Sequence, residues 1–221
     1  MILKLTLSKN TKIVPFNYAI LIRGKRQGWL GNQDRNKISL FTFSNILGGI
    51  STPNGYNFPN GGEIYFGYHD KTDIINIILA IVKNNNFICG MKIINFIPVN
   101  YNSITTDDFI CLSPIHLAKK SIGWNSKNIP VTYKHPDSNV ILQDTMIRKM
   151  QAAGVNSNYF DIQFDLSDNT KYISSISYDD KIIKYSVCSL IIKGTSQQKE
   201  FCVNAGVGKS TGMGFGCVLP K

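Results

Sequence analysis

The sequence predicts an α+β fold of two packed units with antiparallel sheets, on three observations. Strand-like stretches rich in β-branched and aromatic residues outnumber helical ones. The first half runs strand, helix, two strands, helix, strand, whereas the second is one long helix among further strands, and a polar stretch carrying Gly123, Pro130 and Pro136 lies between them. The expected division is residues 1–118 and 119–221.

Leu3, Leu5 and Leu7 alternate with Lys4, Thr6 and Ser8, the period of a half-buried strand. Tyr18 to Gly31, interrupted by Gly24 and Gly28, predicts a short helix. Leu40–Ser44 and Glu63–His69 are the next strands, followed by a helix over Thr72–Asn84 in which Ile74, Ile77, Ile78 and Ile81 recur at helical spacing behind Asp70 or Thr72 as cap. Strands are expected at Phe87–Val99 and Phe109–Leu112. This β, α, β, β, α, β order is that of a ferredoxin-like unit. Beyond the linker, Asp137–Ala153 predicts a second long helix stopped at Gly154, with Val140, Ile141, Met146, Ile147 and Met150 on one side and Arg148 and Lys149 on a solvated one. Tyr159–Leu166, Lys171–Tyr178, Lys181–Lys193, Lys199–Asn204 and Phe215–Leu219 are expected to be strands.

The formal charge of the 221 residues is +10, and residues 1–50 hold +7 of it, with eight basic side chains against Asp34 alone. At 43% hydrophobic residues the chain can bury a core, which excludes a disordered basic tail. No run reaches the roughly 18 to 20 apolar residues of a membrane span, and MILKLTLSKN lacks the apolar core of a secretory signal, so a cytoplasmic location and no membrane partner are expected. Cys89, Cys111, Cys188, Cys202 and Cys217 lie in apolar stretches without C-x-x-C spacing, as buried reduced thiols do. His69, His116 and His135 are too scattered for a close metal pair, so neither metal nor cofactor is expected.

Residues 206–216 read GVGKSTGMGFG. A nucleotide-binding P-loop would place its first glycine at Val203 and open a helix after the lysine, which three further glycines and a proline forbid. Two readings remain: a tight connection between two strands, or a loop whose backbone N–H groups, with Lys209, Ser210 and Thr211, hold a nucleic-acid phosphate.

Gly206-Val207-Gly208, five residues, then Gly214-Phe215-Gly216 at the C-terminus resembles the signature of the CRISPR repeat-processing endoribonucleases of the RAMP superfamily. Lys37-Ile38-Ser39-Leu40-Phe41-Thr42-Phe43-Ser44 resembles that family's Lys-Leu-Phe-Thr-aromatic-Ser strand, Cys111-Leu112-Ser113-Pro114-Ile115 its Leu-Ser-Pro-Ile strand end, and Val14-Pro15-Phe16-Asn17-Tyr18 its entry to the first helix. The resemblance implies two tandem ferredoxin-like (RRM-like) domains that bind CRISPR repeat RNA and cleave it without metal or other cofactor, leaving a 2′,3′-cyclic phosphate and a 5′-hydroxyl. The partners it implies are repeat RNA or the processed crRNA, with other CRISPR effector subunits and a second copy of the chain as further candidates.

The chain departs from the family where a histidine usually ends the first helix: Gly31 follows Trp29-Leu30, and no histidine precedes His69. Three readings stay open. Lys37, Tyr18 and Lys25 can position the phosphate and stabilise charge in a histidine-free cleavage; the chain can bind RNA without cutting it; or His69, His116 or His135 enters the site from elsewhere. Expected RNA contacts are Arg23, Arg26, Arg35, Lys119, Lys120 and Lys127, together with Gly206, Gly208, Lys209, Ser210, Thr211 and Gly214 of the terminal loop. Trp124 and Tyr133, among Lys119, Lys120, Lys127 and Lys134, suit the stacking of an unpaired base.

Overall fold

The computed structural model describes residues 1–31, 38–101, 103–120, 128–178 and 181–221. Its first unit contains β1 (Ile2–Leu7), α1 (Ala19–Leu30), β2 (Phe41–Phe43), the hairpin strands β3 (Ile50–Thr52) and β4 (Gly55–Asn57), β5 (Gly62–Tyr68), α2 (Lys71–Lys83) and β6 (Ile93–Val99). The sheet order is β2-β5-β1-β6, every pair antiparallel, with Leu3 opposite Phe66 and Leu5 opposite Ile64. Alternation in β1 sends Leu3, Leu5 and Leu7 to one face, where Ile22 of α1 and Ile74, Ile77 and Ile81 of α2 cover them. Each such fully buried side chain contributes roughly 1.5–3 kcal/mol. Asp70 caps α2, its Oδ1 accepting from the Thr72 N–H at 2.9 Å.

The second unit contains β7 (Asp108–Cys111), the hairpin β8 (Leu117–Lys120) and β9 (Asn128–Val131), α3 (Ser138–Ala152), β10 (Asp161–Phe164), the hairpin β11 (Tyr172–Tyr178) and β12 (Lys181–Val187), β13 (Leu190–Lys193), α4 (Ser196–Ala205), a single 3-10 turn (Thr211–Met213) and β14 (Val218–Pro220). Its sheet runs β10-β13-β7-β14, again antiparallel. Leaving out the two hairpins, this is a second ferredoxin-like unit, and its core gathers Phe109, Leu142, Met146, Phe164, Ile192 and Phe201. The units share surface: Ile2 packs in the second core, and a Cβ on Gly67 would stand 2.7 Å from the Val203 carbonyl oxygen, so α4 lies directly on the free face of the first sheet.

Several expectations change. Phe109–Leu112, expected as a strand within residues 1–118, forms as β7, an inner strand of the second sheet, ahead of the expected division at 118/119, because β6 already completes the first sheet. Only Ile93–Val99 of the strand expected from Phe87 is extended; Cys89 and Gly90 both have positive φ (50° and 76°) and turn the chain. Lys199–Asn204 is helical within α4, because Thr195 and Gln198 form a reciprocal capping box that starts a helix three residues upstream of Lys199. Asp137 starts α3 but makes no side-chain capping bond. Lys149 is 4% exposed, not on a solvated face.

Candidate nucleic-acid interface

The glycine-rich segment runs between the two units. Val207 N–H donates to the Gly216 carbonyl (2.8 Å), Gly216 N–H to Pro114 (2.7 Å) and Lys209 N–H to His116 (2.8 Å), so the loop is laced to the Ser-Pro-Ile segment. On its other side, the Thr42 hydroxyl donates to the Phe215 carbonyl (2.9 Å) and that of Thr211 to the Ser39 carbonyl (3.4 Å). Three stretches far apart in sequence, 38–44, 111–115 and 206–216, therefore meet in one place. At Gly214 φ is 91° and a Cβ would stand 2.7 Å from the Phe43 ring; at Gly206 φ is 75° and a Cβ would stand 2.6 Å from that of Thr42. Glycine is needed there for positive φ and for the close approach of the other unit.

Lys149 of α3 holds this loop. Its ammonium donates to the carbonyls of Ala205 and Gly206 (both 2.8 Å) and to the Thr211 hydroxyl (3.3 Å). These carbonyls end α4, where no helical N–H remains to satisfy them, and a cation suits the negative end of the helix dipole. Burial pulls the Lys149 pKa down to about 7, with the thiol of Cys202 acting weakly the other way. Polarity suggests a surface position for Lys149, and nothing in the local pattern shows that the end of a distant helix needs it.

A cleft of about 660 Å³ opens beside the loop, between α1, the 38–41 stretch and the start of α2. Arg23, Gln27, Ser39, His69 and Ser210 line it, as do Arg26, Asp70 and Asp73. Arg26 is fixed rather than available: it is 4% exposed, its guanidinium lies 3.5 Å from the Phe41 ring centroid, its Nε donates to the Tyr68 hydroxyl at 3.0 Å, and Asp73 is 4.0 Å away. His69 is half-buried, with its ring edge-on to Phe201. Burial lowers its pKa, the N-terminal ammonium adds to this, and Asp70 and Glu200 oppose it, so the imidazole is mainly neutral at pH 7.

Of the residues expected to be catalytic, the two that the structure describes, Tyr18 and Lys25, do not line the cleft. Lys37 lies outside the described residues, as do Arg35, Lys127 and Trp124, although Ile38 beside Lys37 in the chain lines the cleft. Tyr18 is a core residue: it is 7% exposed, its hydroxyl accepts from the Ile46 N–H at 3.0 Å, and burial raises its pKa to about 12. Lys25 stands over Trp29, one helical turn on, with Nζ 5.8 Å from the ring centroid and away from the cleft.

Among the expected RNA contacts, Arg23 and Ser210 face the cleft. Gly206, Gly208 and Gly214 serve the packing of the loop, and Thr211 is 1% exposed. Lys119 is engaged with His135 (3.1 Å) and Asp137 (3.7 Å), whereas Lys120 is exposed. Lys209 donates to the Ala118 carbonyl at 2.7 Å, and its pKa is lowered by burial and by the neighbouring charges of Arg148 and Lys120, so three cations crowd one patch of the second unit. His116 is inward, 3.1 Å from the Ser210 hydroxyl, with its pKa pulled down to about 4 by burial and then by Lys209. The five cysteines are unpaired, and burial lifts the Cys111 and Cys202 thiols to about 12.

Two ferredoxin-like units clasping a glycine-rich loop define a tandem ferredoxin-like protein. The family model of CRISPR associated protein Cas6, C-terminal, matches residues 98–219, more than half of the chain, and the chain belongs to that family. Solved structures with the same fold include that of a Cas6-related protein of Pyrococcus furiosus, at TM-score 0.84 and 19% identity over 99% of this chain and 97% of that one. A CRISPR associated protein Cas6 superposes at TM-score 0.82 and 15% identity over 100% and 99%. A RAMP protein described as binding different RNA substrates does so at 0.78 and 20% over 99% and 98%. No curated protein matches the sequence. No helix among the described residues is long and apolar enough to cross a membrane.

Proposed function

We propose that the chain binds CRISPR repeat RNA across this cleft and cleaves it by attack of an internal 2′-hydroxyl on the adjacent phosphate. The 2′-oxygen forms a bond to phosphorus and the bond from phosphorus to the 5′-oxygen breaks. The products are a 2′,3′-cyclic phosphate and a 5′-hydroxyl, with no bound metal needed. The observation that carries the reading is the meeting, in one cleft beside the family's glycine loop, of Arg23, Ser39 and Ser210 with a neutral histidine, His69. His69 takes the 2′-proton, Arg23 opposes the charge on the phosphorane, and the conjugate imidazolium or water returns a proton to the 5′-oxygen. Lys37 is retained as a second cation, since its chain neighbour lines the cleft. Lys120, Arg148 and Lys209 continue the phosphate path onto the second unit. A RAMP relative described as binding RNA substrates supports the partner class.

Incubating the purified chain with its repeat RNA in EDTA tests this. One cut with a cyclic phosphate end is expected, and His69→Ala should lower the single-turnover rate by about 10²- to 10⁴-fold while leaving RNA affinity intact. Because the His69 pKa lies below the ordinary 6.5, the wild-type rate should hold at pH 7 and fall only on further acidification. A variant that cuts like wild type would remove His69 from the reaction. The second reading, binding without cleavage, is favoured by the placement of Tyr18 and Lys25 away from the cleft, and wild-type RNA retained uncut would establish it.

A further inference from the structure

A second cavity, of about 160 Å³, lies across the glycine loop from the cleft, where the entry to α1 faces the β11–β12 hairpin. Its walls are aromatic and come from both units. Phe16 and Tyr56, packed edge to face with centroids 5.2 Å apart, form one side, and Tyr172 and Tyr185 form the other, with Phe215 of the glycine loop 6.0 Å from Tyr185. Phe16 and Tyr172 are 51% and 53% exposed, an unusual amount of aromatic surface to leave facing one another in water. The exposed side chains of Asn17 and Asn45, which can each donate and accept hydrogen bonds, stand at the rim. Met213 lines both this cavity and the cleft, so the two are separated by little more than one side chain of the 3-10 turn.

From this geometry we infer a pocket for one unpaired nucleobase of the RNA strand that crosses the cleft. The inference rests on the RNA-binding reading above and adds a second contact to it, of different chemistry. The cleft offers the Arg23 guanidinium and the Ser39 and Ser210 hydroxyls to a phosphate, whereas the pocket offers ring faces to a base, and together they suit a single strand whose backbone and bases are gripped separately. The volume favours a single flat ring over a larger ligand, since drug-sized sites run to roughly 300–1,000 Å³. A folded stem offers no splayed base, so the strand at this point is single-stranded. The amides of Asn17 and Asn45 supply edge contacts that discriminate among bases, and the stacking faces tolerate any of them.

The test uses the full chain and a repeat RNA carrying 2-aminopurine at successive unpaired positions. Wild type should quench the fluorescence strongly at one position. Tyr172→Ala should abolish that quenching and weaken binding about ten- to a hundredfold. Tyr172→Phe, which keeps the ring, should retain both. Phe16→Ala should act in the same direction, and the exposure of both rings leaves the core intact, which thermal melts of the variants would verify. If wild type binds the repeat RNA but neither alanine variant changes affinity or quenching, the base pocket is overturned and the aromatic surface belongs to another partner. If wild type binds no repeat RNA, the proposed function falls first and the pocket with it.

Discussion

Lys149→Met removes the ammonium that ends α4 while keeping a long, flexible side chain in the core. It strips the Ala205 and Gly206 carbonyls and the Thr211 hydroxyl of their donor, and bonds to a charged group contribute about 1.5–3 kcal/mol each. Against this stands the cost of burying the charge. With the pKa moved from 10.5 to about 7, the folded state holds lysine at pH 7 at a penalty of about 4 kcal/mol relative to the unfolded chain. The two quantities are similar in size, so the pH dependence of the difference is the sharper observable. Between pH 7 and pH 10.5 the unfolded chain keeps the Lys149 proton and the folded chain gives it up, so wild-type stability rises with pH; below pH 7 both states carry the proton and the contribution is flat. Denaturant unfolding of both proteins should show the wild type gaining about 2 kcal/mol on Lys149→Met from pH 7 to pH 9, other groups cancelling in the difference. A difference that stays constant with pH would refute the reasoning, because it would mean that the buried ammonium keeps an ordinary pKa.

Gly214→Ala should cost about 2 kcal/mol or more of stability, read as a fall in the denaturation midpoint, because φ is 91° and the new methyl meets the Phe43 ring. Any loss of RNA affinity in that variant should accompany the loss of fold, and a stable variant with weakened binding would restore the direct phosphate contact. Thr195→Ala should remove about 1 kcal/mol by deleting one half of the α4 capping box, and an unchanged unfolding free energy would show that tertiary packing alone holds the helix.

The pattern legible in the chain is the local one. Leu3, Leu5 and Leu7 announce β1 and the isoleucine stripe announces α2, since a side-chain period of two or of 3.6 reports directly which face is buried. The apolar run from Phe201 to Val203 suggests a strand where α4 forms, although Thr195 and Gln198, upstream of that run, carry the start signal of a helix. The buried residues at the end of α4 run consecutively from Phe201 to Ala205 instead of recurring at helical spacing, so their pattern does not report a helix. The site is legible as a set of segments rather than as a set of atoms. The three motif stretches do converge, and Arg23 and Ser210 do line the cleft, but Tyr18, Lys25 and Arg26 are committed to packing within their own unit.

By itself the sequence determined the two-unit α+β architecture, the basic N-terminal region and a glycine-rich segment within the stretch that matches the family model, because each is written in residue type and spacing along the chain. Only the tertiary structure decided that β7 serves the second sheet, that the glycines act by admitting Phe43 and Thr42, that Lys149 is buried under the end of α4, and that His69 shares a cleft with Arg23. These depend on contacts between residues tens to more than a hundred positions apart. Such contacts are selected by the packing of α4 and the glycine-rich loop against the first unit and of the elements within each unit, which local periodicity does not encode.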